Sequence, residues 1–231
     1  MPEHYDLREY RFANDDKKAQ FVSFANDIYI PTMESLGYIH LGVFEPVEST
    51  DNGPGLYTLI GAGSAEDLLA FNRRLMTNGA VNAASRNLSI TATDAAYSEM
   101  SSTLMRAFDG TPSLQRPATG PDRIFQLRIY ENPTLAALYK KIEMFHAGEL
   151  EIFNDVGLSR VFFGETLVGP RLPNLTYMLS FENMDAMNTA WRTFIDDPRW
   201  KALSGKEEYS DSLLIRKITN VLLRPLPMSH L

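Results

Sequence analysis

The strongest constraint on this chain is that its sequence says nearly the same thing twice. Tyr5-Asp6-Leu7-Arg8-Glu9-Tyr10 returns as Phe125-Gln126-Leu127-Arg128-Ile129-Tyr130, and the same offset aligns Gly37 with Gly157 and Glu45 with Glu165. It also aligns Tyr57 and Leu59 with Tyr177 and Leu179, and Ala70-Phe71 with Ala190-Trp191. Identities that keep their order over such a span point to a duplicated unit. Between the copies, Asp109 to Asp122 carries Gly110, Pro112, Pro117, Gly120 and Pro121, which no regular element accommodates. The expected division is a first module at 1–110, a linker at 111–122 and a second module at 123–231.

Each copy reads as β-α-β-β-α-β. In the second, Phe125, Leu127 and Ile129 alternate with more polar neighbours, the period of a strand. Leu135, Leu138, Ile142, Phe145, Glu149, Ile152 and Val156 step by threes and fours as an amphipathic helix, which Gly157 should end. Strands are expected over 158–163, 176–181 and 215–223, and a helix over 184–195 capped by Asn183. The fold class is α+β. Two ferredoxin-like modules result, whose four-stranded antiparallel sheets should pack face to face as an intrachain α+β barrel, because helices cover only one face of each sheet.

Alternation along the first strand assigns its faces. With Leu7 and Leu127 taken to face the helices, Arg8, Tyr10, Arg128 and Tyr130 face the space between the sheets. His40 and Arg160 join them from the second strand of each copy. These six are the candidate ligand-binding residues: Arg to hold an anionic group, Tyr to give a hydrogen bond or proton, on apolar walls. Asp6 can neutralise Arg8, whereas Gln126 leaves Arg128 without an acid. An anion is therefore expected first in the second copy.

The strand Tyr-Asp-Leu-Arg-Glu-Tyr, the glycine after the first helix, and Asp196-Asp197-Pro198-Arg199-Trp200 together resemble the NIPSNAP family. The resemblance runs through nearly all of the second copy and through about residue 75 of the first. There Thr77-Asn78-Gly79-Ala80 stands where Asp-Pro-Arg-Trp would be. It implies the dimeric α+β barrel superfamily and little chemistry: NIPSNAP-like proteins mostly lack an assigned activity, and some are linked to mitochondria or vesicle traffic. Wider relatives include cofactor-free oxygenases, isomerases and haem enzymes. The lining residues, rather than the resemblance, point to a binder of a small anionic or aromatic molecule in the cavity between the two sheets, with a cofactor-free oxygenase or isomerase of the dimeric α+β barrel type as one alternative. A non-catalytic interaction module with a packed interior is the other.

Composition narrows the field. The net charge is −7, all of it in residues 1–115. Neither half is basic, which argues against nucleic acid and an anionic membrane surface. Without cysteine there is no disulfide, thiolate nucleophile or Cys-based metal site. Glu143-x-x-His146 has the spacing of half a di-iron site but lacks the companion helix in the first copy, where Ser23 and Asn26 stand. No cofactor and no metal are expected. Haem would have only His40 or His146 to bind it. Gly61-Ala62-Gly63-Ser64 reads as a turn with Ser64 as helix cap, and no apolar run is long enough to span a bilayer. The N-terminus lacks a secretory signal. The expectation is a cytoplasmic protein that binds a small molecule and whose outward sheet edges could pair two chains as a homodimer.

Overall fold

A computed structural model of the chain describes residues 1–38, 40–48, 53–88, 91, 93–115 and 118–231. By internal contacts the chain divides into two units. The N-terminal unit is Glu3–Leu104 with Pro225–Leu231, and the C-terminal unit is Met105–Arg224 with Met1–Pro2.

The N-terminal unit runs β1 (His4–Arg11), α1 (Asp15–Phe24), α2 (Ile30–Ser35), β2 (His40–Pro46), β3 (Gly55–Ala62), α3 (Ala65–Thr77), α4 (Gly79–Leu88) and β4 (Glu99–Ala107), whose end passes into the next unit. β3 lies between β1 and β2, antiparallel to both, with Leu7 opposite Leu59 and His40 opposite Gly61. Asn14 caps α1 by accepting from the Lys17 amide, and Ser64 caps α3 by accepting from Asp67. A π-helical turn over Ala25–Tyr29 joins α1 to α2.

The C-terminal unit runs β5 (Ile124–Glu131), α5 (Leu135–Met144), α6 (Leu150–Asp155), β6 (Ser159–Val168), β7 (Asn174–Phe181), α7 (Met184–Asp196), α8 (Pro198–Ser204), α9 (Asp211–Leu214) and β8 (Lys217–Pro225). Its antiparallel sheet is ordered β8-β5-β7-β6. Thr134 and Asn183 cap α5 and α7. The single helix expected over 135–156 is broken. A π-helical turn at Phe145–Glu149 separates α5 from α6, and Gly148 there has φ +145°, which only glycine adopts without strain. The last strand begins at Lys217, because Asp211–Leu214 forms the short α9 first.

No helix or strand lies between residue 107 and residue 124 among the described residues. Residues 116 and 117 of the expected linker fall outside the described residues. The remainder is not loose: Leu114 is buried, and the Gln115 amide donates to the Val161 carbonyl.

The spacing between matching elements is not constant. β1 and β5, the two π turns, and Gly37 and Gly157 keep the offset of the opening strands. From β3 and β7 onward the offset is one residue smaller: Leu7 faces Leu59, but Leu127 faces Met178. A one-residue slip in a strand reverses the faces. Tyr57 and Tyr177, matched in the sequence, are therefore not counterparts. Tyr57 stands opposite Glu9, whereas Tyr177 stands opposite Arg128. The same shift pairs the cap Asn78 of α4 with the cap Asp197 of α8, and buried Val81 with Trp200. The first copy keeps the helix and lacks only its Asp-Pro-Arg-Trp lettering.

Each unit has its own apolar core between sheet and helices, one around Phe71, Tyr29 and Leu41, the other around Phe153, Tyr177 and Phe194.

Candidate functional site

The first strand of each unit sets the site, and its faces are the reverse of the expectation. Arg8 lies over the Phe71 ring of α3, 4.7 Å from guanidinium carbon to centroid, and Tyr10 packs 4.8 Å from the Phe21 ring of α1. Arg128 lies 4.7 Å over the Trp191 ring of α7, and Tyr130 sits against Phe145. The arginines and tyrosines thus face the helices of their own unit, and Leu7 and Leu127 take the opposite face. The reason is that the helices offer aromatic rings. An Arg stem and guanidinium stack on them without losing the attraction of the ring face, so a polar residue is accepted on the helix side.

In the N-terminal unit the guanidinium is already satisfied. Arg8 donates from Nε to Asp6 at 2.7 Å, and Asp6 also accepts from the Ser102 hydroxyl at 2.6 Å. In the C-terminal unit Gln126 replaces the acid and turns its Oε1 to the Trp191 indole N–H at 2.7 Å. Arg128 has no carboxylate partner among the described residues, and its buried Nε has no hydrogen-bond partner. Burial pulls its pKa down, but the Tyr177 and Tyr130 hydroxyls and Glu149 hold it above the ordinary value, so it stays a cation.

A cavity of about 370 Å³ opens beside it. Arg128, Tyr130, Trp191, Phe194 and Trp200 form the walls, with Lys141 and Glu149 at depth and Ile218 at the rim. The volume falls within the range of small-molecule sites. Tyr130 and Tyr177 share a hydroxyl–hydroxyl bond of 2.9 Å. Lys141 and Glu149, 1% and 2% exposed, pair at 3.2 Å. Burial raises the Glu149 carboxyl, against the pull of Lys141. Asp211 also lines the cavity, but it is exposed, and water screens it more than it screens the half-buried Arg128.

The six sequence candidates fall into separate places. Arg128 and Tyr130 line this cavity, and Arg8 and Tyr10 line a different one in the N-terminal unit. His40 is half-buried, 3.7 Å from Glu3, and lines neither. Arg160 reaches Asn154 at 3.5 Å at the surface, with its pKa lowered by desolvation, and is likewise outside both. Glu143 and His146 are engaged separately: Glu143 accepts from Lys140 and Tyr209, while His146 accepts from the Gly110 amide. The π turn carries Glu149 away from their helix face, into the core. Lys141 and Tyr177 escaped the sequence reading. Glu149 had a signal, a carboxylate on an otherwise apolar helical stripe.

The fold is shared over the whole chain with solved structures of low identity. A proposed monooxygenase from Fusobacterium nucleatum subsp. nucleatum aligns at TM-score 0.64 with 8% identity, covering 97% of this chain and 93% of that one. A second proposed monooxygenase, from Lactobacillus acidophilus NCFM, gives 0.60 at 10% identity over 97% and 94%. An anthrone oxidase-like protein gives 0.58 at 12% identity over 98% and 92%. These likenesses show the α+β fold alone. No curated protein matches the sequence. The NIPSNAP family model matches residues 125–230, the stretch that begins in β5 and contains every residue of the Arg128 cavity. Over that stretch, the C-terminal half of this chain is similar to the NIPSNAP family.

Proposed function

We propose that the C-terminal unit binds a small anionic aromatic molecule, its acid group on Arg128 and its ring among Trp191, Phe194 and Trp200. The observation that carries this reading is the half-buried Arg128 guanidinium, stacked on Trp191, with no acid among the described residues to neutralise it and a buried Nε left without an acceptor there. A guanidinium in that state is a ready partner for a carboxylate or phosphate. Calorimetric titration with benzoate and 1-naphthoate tests it. Arg128→Ala should weaken binding by about 10–100-fold, the value of a charge-assisted hydrogen bond. The joint change Asp6→Asn with Arg8→Met, which removes the paired arginine of the other unit, should leave it unaltered. Equal affinity in the Arg128→Ala protein removes the proposal.

A second reading has the whole-chain likeness in its favour. Proteins of this fold include ones described as monooxygenases and as anthrone oxidase-like. In this reading the bound aromatic is oxidised by dioxygen without a cofactor, inside a cavity that already holds phenol, ammonium and carboxyl groups to move protons. Oxygen uptake with anthrone as the first substrate decides it, and uptake that is unchanged by Arg128→Ala would place any oxidation elsewhere.

A further inference from the structure

We infer that the N-terminal unit holds a second, separate site, for a neutral aromatic molecule that carries one hydrogen-bond acceptor, such as a ketone. A cavity of about 470 Å³ lies between β1 and the helices of that unit, walled by Phe21, Phe24, Leu75, Met76 and Tyr97. Its chemistry follows from three replacements relative to the Arg128 cavity. α1 and α5 are capped at Asn14 and Thr134 and run into π turns at the same distance, so their positions correspond. On that frame Phe21 stands where the C-terminal unit has Lys141, and Tyr29 where it has Glu149. The buried ion pair is replaced by a phenyl ring and a phenol. The third replacement is Asp6 for Gln126, which neutralises Arg8 at 2.7 Å. The site therefore offers no free charge to an anion.

It does offer a donor. Tyr29 is 5% exposed, lines the cavity, and its hydroxyl has no hydrogen-bond partner among the described residues. Arg8 acts on it through charge, and the Tyr10 hydroxyl approaches it without reaching regular hydrogen-bond geometry, a position a ligand oxygen would compete for. Burial holds its pKa well above the ordinary phenol value, so the proton stays on. A buried hydroxyl without an acceptor is a standing cost to the fold, which a ligand carbonyl oxygen would relieve. Apart from the paired Arg8 and the side chains of Asn72 and Ser85, the rest of the wall is apolar or aromatic, suited to a ring system of two or three rings by volume.

Benzophenone and its carbonyl-free counterpart diphenylmethane separate the two parts of the recognition. Calorimetry on the full chain should show one benzophenone bound. Tyr29→Phe, which removes a single oxygen from a packed ring, should weaken it about tenfold, the worth of a hydrogen bond to a buried donor. Diphenylmethane should bind the wild type and the Tyr29→Phe protein alike. Benzoate at saturation and Arg128→Ala should leave benzophenone binding unchanged. Leu75→Trp, which fills the cavity from its wall, should abolish it while leaving benzoate binding intact. Absence of benzophenone binding, an unchanged affinity in Tyr29→Phe, or loss through Arg128→Ala each overturns the inference. The last outcome would assign the ketone to the C-terminal cavity and leave the Arg128 proposal standing.

Discussion

Lys141 and Glu149 are the two residues with most to lose from a single substitution. They are buried together, and Lys141 has little around it but aromatic rings: its Nζ lies 5.0 Å from the Phe145 centroid and 5.7 Å from those of Tyr130 and Trp200. Removing one partner strands the other. Lys141→Met should cost roughly 3–5 kcal/mol in a urea unfolding experiment, while joint replacement by two apolar residues should recover much of that. Glu149 also links stability to pH. Its folded carboxyl binds a proton more tightly than the ordinary value of 4.5, with burial as the cause. The folded chain therefore holds this proton in a range where the unfolded chain has lost it. The contribution is full below about 4.5 and lost as pH rises through the raised folded value. The wild-type denaturation midpoint should accordingly fall over that window relative to Glu149→Gln. Parallel pH profiles for the two proteins would assign the dependence to another group.

At the scale of elements, the strand-helix order, the caps at Ser64 and Asn183 and the glycine stops were legible in the sequence, because each rests on local chemistry. The faces of β1 and β5 were not. Alternation says that Leu7 and Arg8 point opposite ways, but not which way is inward. That choice depends on Phe71 and Trp191, which come from distant helices. The one-residue slip before β3 was hidden for a related reason. Tyr57/Tyr177 and Leu59/Leu179 are identities at a constant offset, and only the ladder partners show that they occupy opposite faces. Phe71 and Trp191 do serve the same end, yet from different places: Phe71 is seven residues past the cap of α3, and Trp191 eight past the cap of α7. The π turns were illegible because Phe145, Glu149 and Ile152 keep helical spacing across them. Gly148 is the residue that makes the second turn feasible. An added Cβ would meet nothing nearer than Leu203 at 3.9 Å, so Gly148→Ala tests backbone conformation alone. It should lower stability by about 1–2 kcal/mol in a chemical denaturation series. A change near zero would mean the turn relaxes into an ordinary α-helix.

For the molecule as a whole, the sequence division into halves is simpler than the folded one. The chain's last residues return to the first unit: the Leu226 amide donates to Val43 and the His230 amide to Leu41, both in β2, and Leu231 is 4% exposed. Leu226 and Met228 pack on the N-terminal core. Deleting residues 225–231 should therefore cost the N-terminal unit roughly 2–5 kcal/mol, from lost apolar burial and backbone hydrogen bonds. Both tryptophans belong to the C-terminal unit, so tryptophan emission should barely respond while amide exchange in β2 accelerates. Slow exchange in β2 after the deletion would show the tail to be dispensable. The contrast between the two cavities belongs to this scale too. One of them keeps an unneutralised arginine and the other a lone phenol, although both arise at the same strand and the same π turn.

The buried Leu231 has a practical consequence for any laboratory that handles this protein. An affinity tag or fluorescent fusion joined to it would start beside a side chain seated against β2, and any pull on it would fall on the half of the molecule farther away in sequence. Met1, by contrast, is fully exposed. A label at either residue is therefore best judged by whether amide exchange in β2 is preserved.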